Sequence, residues 1–135
     1  LPFHKLTQWL TYSLLEPLET AGLTVTGLDE LTGLPEYRNG GLLLDFNLIQ
    51  PCTPQFMTHR WRVDAPAIIE WRALTVIGLD RLADAVRGEL GLDAAAFPLA
   101  RVLEGGTWSA GRRIAAQRRP GGGPPISIVS DGTVF

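Results

Sequence analysis

The stretch DAPAIIEWRALTVIGLDRLADAVRGELG, residues 64–91, decides the fold. Ile68, Trp71, Leu79, Leu82, Val86 and Leu90 mark one apolar face at helical spacing. Asp64 is a natural N-cap, Pro66 suits the first turn and Gly91 ends the run. The reading is one long helix from about residue 65. Glu70 and Arg72 intrude on its apolar sequence. Residues two apart on a helix point to different sides, so these two are not expected to pair with each other. Each needs its own partner, such as Arg38 for Glu70 or Asp45 for Arg72, or a ligand.

Outward from this stretch the chain stays mostly helical. Residues 4–20 carry Leu6, Leu10, Leu14 and Leu18 at i+4 spacing, an amphipathic helix that Pro17 is expected to kink or end. Gly22 suits its C-cap. Residues 23–25 read as a short extended piece and 26–29 as a turn. Pro35 is placed as the first residue of a helix running to about Phe46. Residues 50–64 have no clean period and read as a loop. Further on, 99–103 is a helical turn and 107–117 a helix. The run RRPGGGPP, residues 118–125, is a breaker. Residues 126–129 read as a short strand, and Asp131-Gly132 as a turn. The expected fold is mostly α, a single helical domain over residues 1–135 with at most a short C-terminal strand or hairpin.

Composition narrows the class. A chain of 135 residues suits one domain. Twelve basic against 14 acidic residues give a net charge of −2, which argues against general nucleic-acid binding. Cys52 is the single cysteine, so no internal disulfide forms and a reducing cytoplasm is the expected location. No cationic-then-apolar signal segment is visible. The apolar runs are broken by charge before the ~18 residues a membrane span needs. The chain starts at Leu1, with no Met, and is expected to be a piece of something longer. His4 and His59 lie far apart and no Cys/His cluster has ligand spacing, so no metal is expected.

Two further segments carry candidate chemistry. Glu36-Tyr37-Arg38 falls in the first turn of a helix, where free N–H groups and the positive dipole end favour an ionised carboxylate. Gly40 and Gly41, costly inside a helix, make sense if a ligand or another backbone comes close. The alternative is a carboxylate that merely suits the dipole beside a solvated arginine. For Glu70 and Arg72 the alternative is a buried structural ion-pair network. In EGGTWSAGRR, residues 104–113, paired glycines ahead of a Thr-capped helix form a plausible anion cradle with Arg112 and Arg113. The motif lacks the Lys and Ser/Thr of a P-loop, which is discarded. A simple capping turn is the other reading. Trp9, Trp61, Trp71 and Trp108 could stack on a planar ligand or pack a core.

LPFHKLTQWLTYSLLEPLE, VTGLDELTGLPEYRNGGLLLD, IIEWRALTVIGLDRLA, LEGGTW and the ending SDGTVF resemble the C-terminal part of the uracil catabolism protein 4 family, uncharacterised bacterial and fungal domains of a uracil-degrading pathway with a ribosylurea-type intermediate. EYRNGGLLLD followed by EWRA is also similar to the Asp-Tyr-Arg segment and later helix of the queuosine-salvage N-glycosylases, which are helical. On that likeness Glu36 stands at the catalytic Asp position, one methylene longer. The two resemblances imply hydrolysis of an N-ribosyl bond, with Glu36 and Glu70 as catalytic residues. Glu36 would act on the oxocarbenium centre or activate water, and Glu70 would be a raised-pKa acid or a ribose ligand. Tyr37, Arg38, Asn39, Trp71, Arg72, Trp108 and Arg112 would bind the small-molecule ribosyl substrate, Arg112 or Arg72 holding a 5′-phosphate where there is one. No cofactor or metal, nucleic acid or membrane is called for, and the oligomeric state stays open. The alternative is a non-catalytic binding or assembly module of the same pathway.

Overall fold

The computed structural model describes residues 5–135, so the helix start expected at His4 lies outside it. The chain forms helix α1 (Lys5–Thr20), α2 (Tyr37–Asp45), the short α3 (Gln55–Thr58), strand β1 (Arg60–Arg62), the long α4 (Pro66–Leu90), a helical run α5 (Leu99–Arg101) and α6 (Ser109–Arg118), and strand β2 (Ser127–Val129). The fold is mostly α, as expected.

Helix α4 is the central member. Ile68, Trp71, Thr75, Leu79 and Ala83 share its buried face. Pro66 opens it and Gly91, at φ +65°, closes it in the left-handed conformation that glycine adopts without strain. Asp64 is not its cap. The N-cap is Ala65, and Asp64 instead makes two 3.0 Å bonds to the exposed Arg62 guanidinium. Leu44, Ile68, Trp71, Ile126 and Phe135 form one core cluster, with the Trp71 and Phe135 rings edge-on at 4.6 Å. Leu34, Leu79 and Leu103 form a second.

Residues 50–64 are more ordered than their pattern suggested. They hold α3 and β1, and β1 pairs parallel with β2 in the register Trp61 to Ile128. The terminal strand is therefore not part of a hairpin, since parallel neighbours cannot be joined by a tight turn. Trp61 sits against Phe56 and donates its indole N–H to the Phe56 carbonyl at 3.0 Å. That aromatic packing substitutes for the periodicity the segment lacks.

Helix α1 keeps its amphipathic pattern but leaves its leucine row exposed. It runs through Pro17 to Thr20 and ends at Gly22, φ +82°. Leu6, Leu10 and Leu14 are 54%, 58% and 44% exposed. Polar contacts fasten the helix instead. The Gln8 side chain bonds the Thr32 hydroxyl and accepts from the Thr32 N–H, and the Tyr12 hydroxyl donates to the Thr32 carbonyl at 3.0 Å. The i+4 leucine row is real, but the polar edge beside it faces the body.

Candidate active site

Glu36 does not lie inside the first turn of α2. It is the N-cap, because the helix opens at Tyr37, two positions later than the expected start at Pro35. The chain arrives extended, at φ −113° and ψ 141°, and the carboxylate folds back over the helix end. Its Oε2 accepts from the Arg38 N–H at 2.9 Å and the Asn39 N–H at 3.4 Å, the amides an N-cap normally satisfies. Oε1 accepts no hydrogen bond among the described residues. The residue is only 4% exposed. Burial pushes the carboxyl above its ordinary value, opposed by the two amide bonds and by the charges of Lys5 and Arg38. The helix end alone suggested the opposite direction.

Glu36 lines a cleft of about 400 Å³ whose cationic side chains are Lys5, Arg38 and Arg112 and whose aromatic walls are Trp9, Tyr37 and Trp108. Three cations surround one carboxylate, so the cleft favours an anionic ligand. The Arg112 guanidinium lies 4.8 Å from the Trp108 ring centroid, and that of Arg38 lies 4.9 Å from Tyr37. Arg38 also donates to the Gly122 carbonyl at 2.6 Å, which ties it to the breaker segment. Trp9 and Trp108 also bound a second, more apolar hollow of about 320 Å³, floored by Leu34, Asn39 and Leu103.

The glycines of residues 104–113 do not form an anion cradle. Val102–Trp108 is a π-helical turn continuous with α5 and α6, so Gly105 and Gly106 lie within a helix rather than ahead of one. A wide turn of this kind occurs often at functional sites. Thr107 is not a cap. It is buried and donates its hydroxyl to Asn39 Oδ1 at 2.9 Å, while Asn39 Nδ2 donates to the Leu34 carbonyl at 3.2 Å. The next residue, Trp108, reaches the cleft.

The second charged segment behaves otherwise. Glu70 is exposed and does not line the cleft. Trp71 is 2% exposed, lies in the core and donates its indole N–H to the Gly40 carbonyl at 3.2 Å. Arg72 is buried, its guanidinium 5.9 Å from the Phe135 ring centroid, and is not among the cleft's lining side chains. The suggested ionic partners also differ. Asp45 takes a two-pronged pair from Arg119, at 2.7 and 2.6 Å, and Arg38 turns to Gly122. What approaches Gly40 is the buried face of α4: a Cβ there would meet the Thr75 hydroxyl at 2.6 Å and the Trp71 ring at 3.0 Å. Gly41 faces Pro125.

Of the cleft side chains, Lys5 is absent from the sequence reading, and Trp9 enters it only as one of four tryptophans that stack on a ligand or pack a core. Lys5 and Trp9 lie on α1, whose leucine row drew attention to another face. The signal available was a lone lysine and a tryptophan four residues apart on one helix side. Among the described residues no group of three or more His, Cys, Asp or Glu side chains is placed to hold a metal ion, and no helix is long and apolar enough to cross a membrane.

Fold and site together define a class: a helical domain with a buried, helix-capping carboxylate in an aromatic and cationic cleft. A family profile described as "Protein of unknown function (DUF1688)" matches residues 1–135, and the chain belongs to that family. It is 46% identical over 138 residues to Protein urg3 of Schizosaccharomyces pombe, a match covering 99% of this chain and 34% of that protein. It is 44% identical over 151 residues to Uracil catabolism protein 4 of Lachancea kluyveri, covering 98% and 34%. The chain thus spans about a third of the length of both relatives. The family resemblance seen in the sequence stands. No solved structure matches.

Proposed function

We propose that this domain acts in uracil catabolism and hydrolyses the N-ribosyl bond of a ribosylurea-type compound, with Glu36 as its catalytic carboxylate. The observation that carries the reading is Glu36 itself. Oε2 is engaged by the helix end while Oε1 accepts no hydrogen bond among the described residues, in a residue that lines the cleft and is 4% exposed. Breaking an N-ribosyl bond builds positive charge at the anomeric carbon, which a fixed carboxylate stabilises. The same carboxylate, its proton affinity raised by burial, is suited to take a proton from the attacking water. Tyr37, Trp9 and Trp108 offer faces to the sugar and urea, and Arg38 and Arg112 supply charge for a 5′-phosphate. The name of the Lachancea kluyveri relative supports the pathway. Glu70, Trp71 and Arg72 drop out of the first-choice set because none of them lines the cleft.

A second reading has its own support. Because the chain spans about a third of its relatives, the domain can bind the ligand while other parts of a longer protein act on it. Purified protein is incubated with ribosylurea and its 5′-phosphate, with and without Glu36→Gln. Release of urea by the wild type, reduced by about 10²–10³-fold in the variant, supports the hydrolase. Saturable binding with no urea release favours the binding module.

A further inference from the structure

Lys5 is an unusual lysine. It is 8% exposed, where lysines are seldom found without a partner. Its Nζ donates to the Gly132 carbonyl at 2.7 Å, one of three N–H donors the ammonium carries. Gly132 stands at φ +84° in the turn of residues 130–133, and the Ser130 hydroxyl holds its N–H at 3.0 Å. The adjoining tail is anchored in the core by Phe135. Lys5 lines the same cleft as Glu36, yet no ion pair of the described residues joins them. A cation and a carboxylate therefore share one concavity without closing on each other.

We propose that Lys5 is the second catalytic group of this cleft and delivers the proton to the leaving nitrogen. This rests on the N-ribosyl hydrolase reading above. The C1′–N bond breaks with its electron pair going to nitrogen, and the Lys5 ammonium protonates that nitrogen to release urea. Water adds its oxygen to C1′, and its proton passes through Glu36 and restores the ammonium. The charges facing Lys5 are Glu36 at the α2 cap, Arg72 on α4 and Asp131 in the terminal turn. Burial, and to a lesser degree Arg72, make the ammonium a stronger acid than an ordinary lysine, while Glu36 and Asp131 oppose this. A strengthened acid is what protonating a poor leaving group needs.

Lys5→Arg separates acid catalysis from charge and tethering, because arginine keeps its charge and N–H donors but does not give up a proton. The wild type, Lys5→Arg and Glu36→Gln are each assayed on ribosylurea and on 4-nitrophenyl riboside, whose leaving group departs without protonation. The expected result is that Lys5→Arg loses about 10²–10⁴-fold in kcat on ribosylurea and stays within a few-fold of wild type on the nitrophenyl riboside. Glu36→Gln loses both. Equal activity of Lys5→Arg and wild type on both substrates overturns the acid role, and so does an equal loss on both, which marks a structural lysine. A wild type inactive on both overturns the hydrolase reading and the Lys5 role with it.

Discussion

Glu36-Tyr37-Arg38 and Glu70-Trp71-Arg72 follow one pattern, acid then aromatic then arginine, and the molecule uses them in opposite ways. In the first, the acid is buried and the aromatic and the arginine are half-buried beside a cleft. In the second, the acid is exposed while the aromatic and the arginine are buried. Place along the helix decides between them. Glu36 precedes the first turn, where a side chain turns back to the free amides. Glu70 sits in the second turn of α4, and the helical rotation that sends Trp71 inward sends its neighbour out. The two segments also meet, because the Trp71 ring packs on Gly40 and its N–H reaches the Gly40 carbonyl. The second triplet thus braces the helix that carries the first.

The largest effect expected from this division is on Trp71. Truncation to Ala removes a ring packed edge-on against Phe135 and Phe56 and should cost about 3–5 kcal/mol of stability, read by urea unfolding. Folded variant at low temperature should still bind ligand, since the ring does not line the cleft. A loss below about 1 kcal/mol, or a loss of binding with stability intact, breaks the separation of bracing from chemistry.

Much of this was legible beforehand, and the failures have physical causes. Long apolar spacing, Pro66 and Gly91 placed α4 because each acts through local geometry. Glu36 is marked by its expected place in a helix's first turn, ahead of two glycines, although the helix starts one residue after it. Burial direction was the hard part. Periodicity shows that residues share a face, not which face meets the core. The i+4 spacing of Leu6, Leu10 and Leu14 marks a shared face of α1, and that face is exposed. The parallel pairing of β1 with β2 and the meeting of Lys5 with Gly132 join distant segments, and no local pattern encodes them. The π turn was hidden for another reason: Gly105-Gly106 signals a break as readily as a widened helix.

A smaller effect tests the burial of Glu36 through pH. Its folded-state proton affinity is raised, so between the ordinary value near 4.5 and the raised one the native state binds more protons than the unfolded chain. Stability from this group therefore falls as pH rises through that window. Glu36→Gln lacks the titration. The variant should gain on wild type as pH rises from about 4.5 and hold a constant difference above the window, measured by urea unfolding at a series of pH values. A difference that instead shrinks as pH rises would mean that the amide bonds and Lys5 outweigh desolvation, and Glu36 would be a stabilising cap like any other.

The smallest effect belongs to Glu70, and its smallness is the sharpest form of the comparison. Glu70→Gln removes a charge from an exposed side chain that makes no ion pair among the described residues. Stability should stay within about 0.5 kcal/mol of wild type. Urea release from ribosylurea should stay within about twofold, because a proton donor has to come within hydrogen-bond reach of the atom it serves. A drop of about tenfold or more would bring Glu70 to the substrate and reverse the assignment. The two acids would then work as a pair, and Lys5 would lose its role as the proton source. Unchanged turnover in Glu70→Gln beside a strong loss in Glu36→Gln would confine the chemistry to the α2 cap. The likeness of the two triplets would then be one of composition alone.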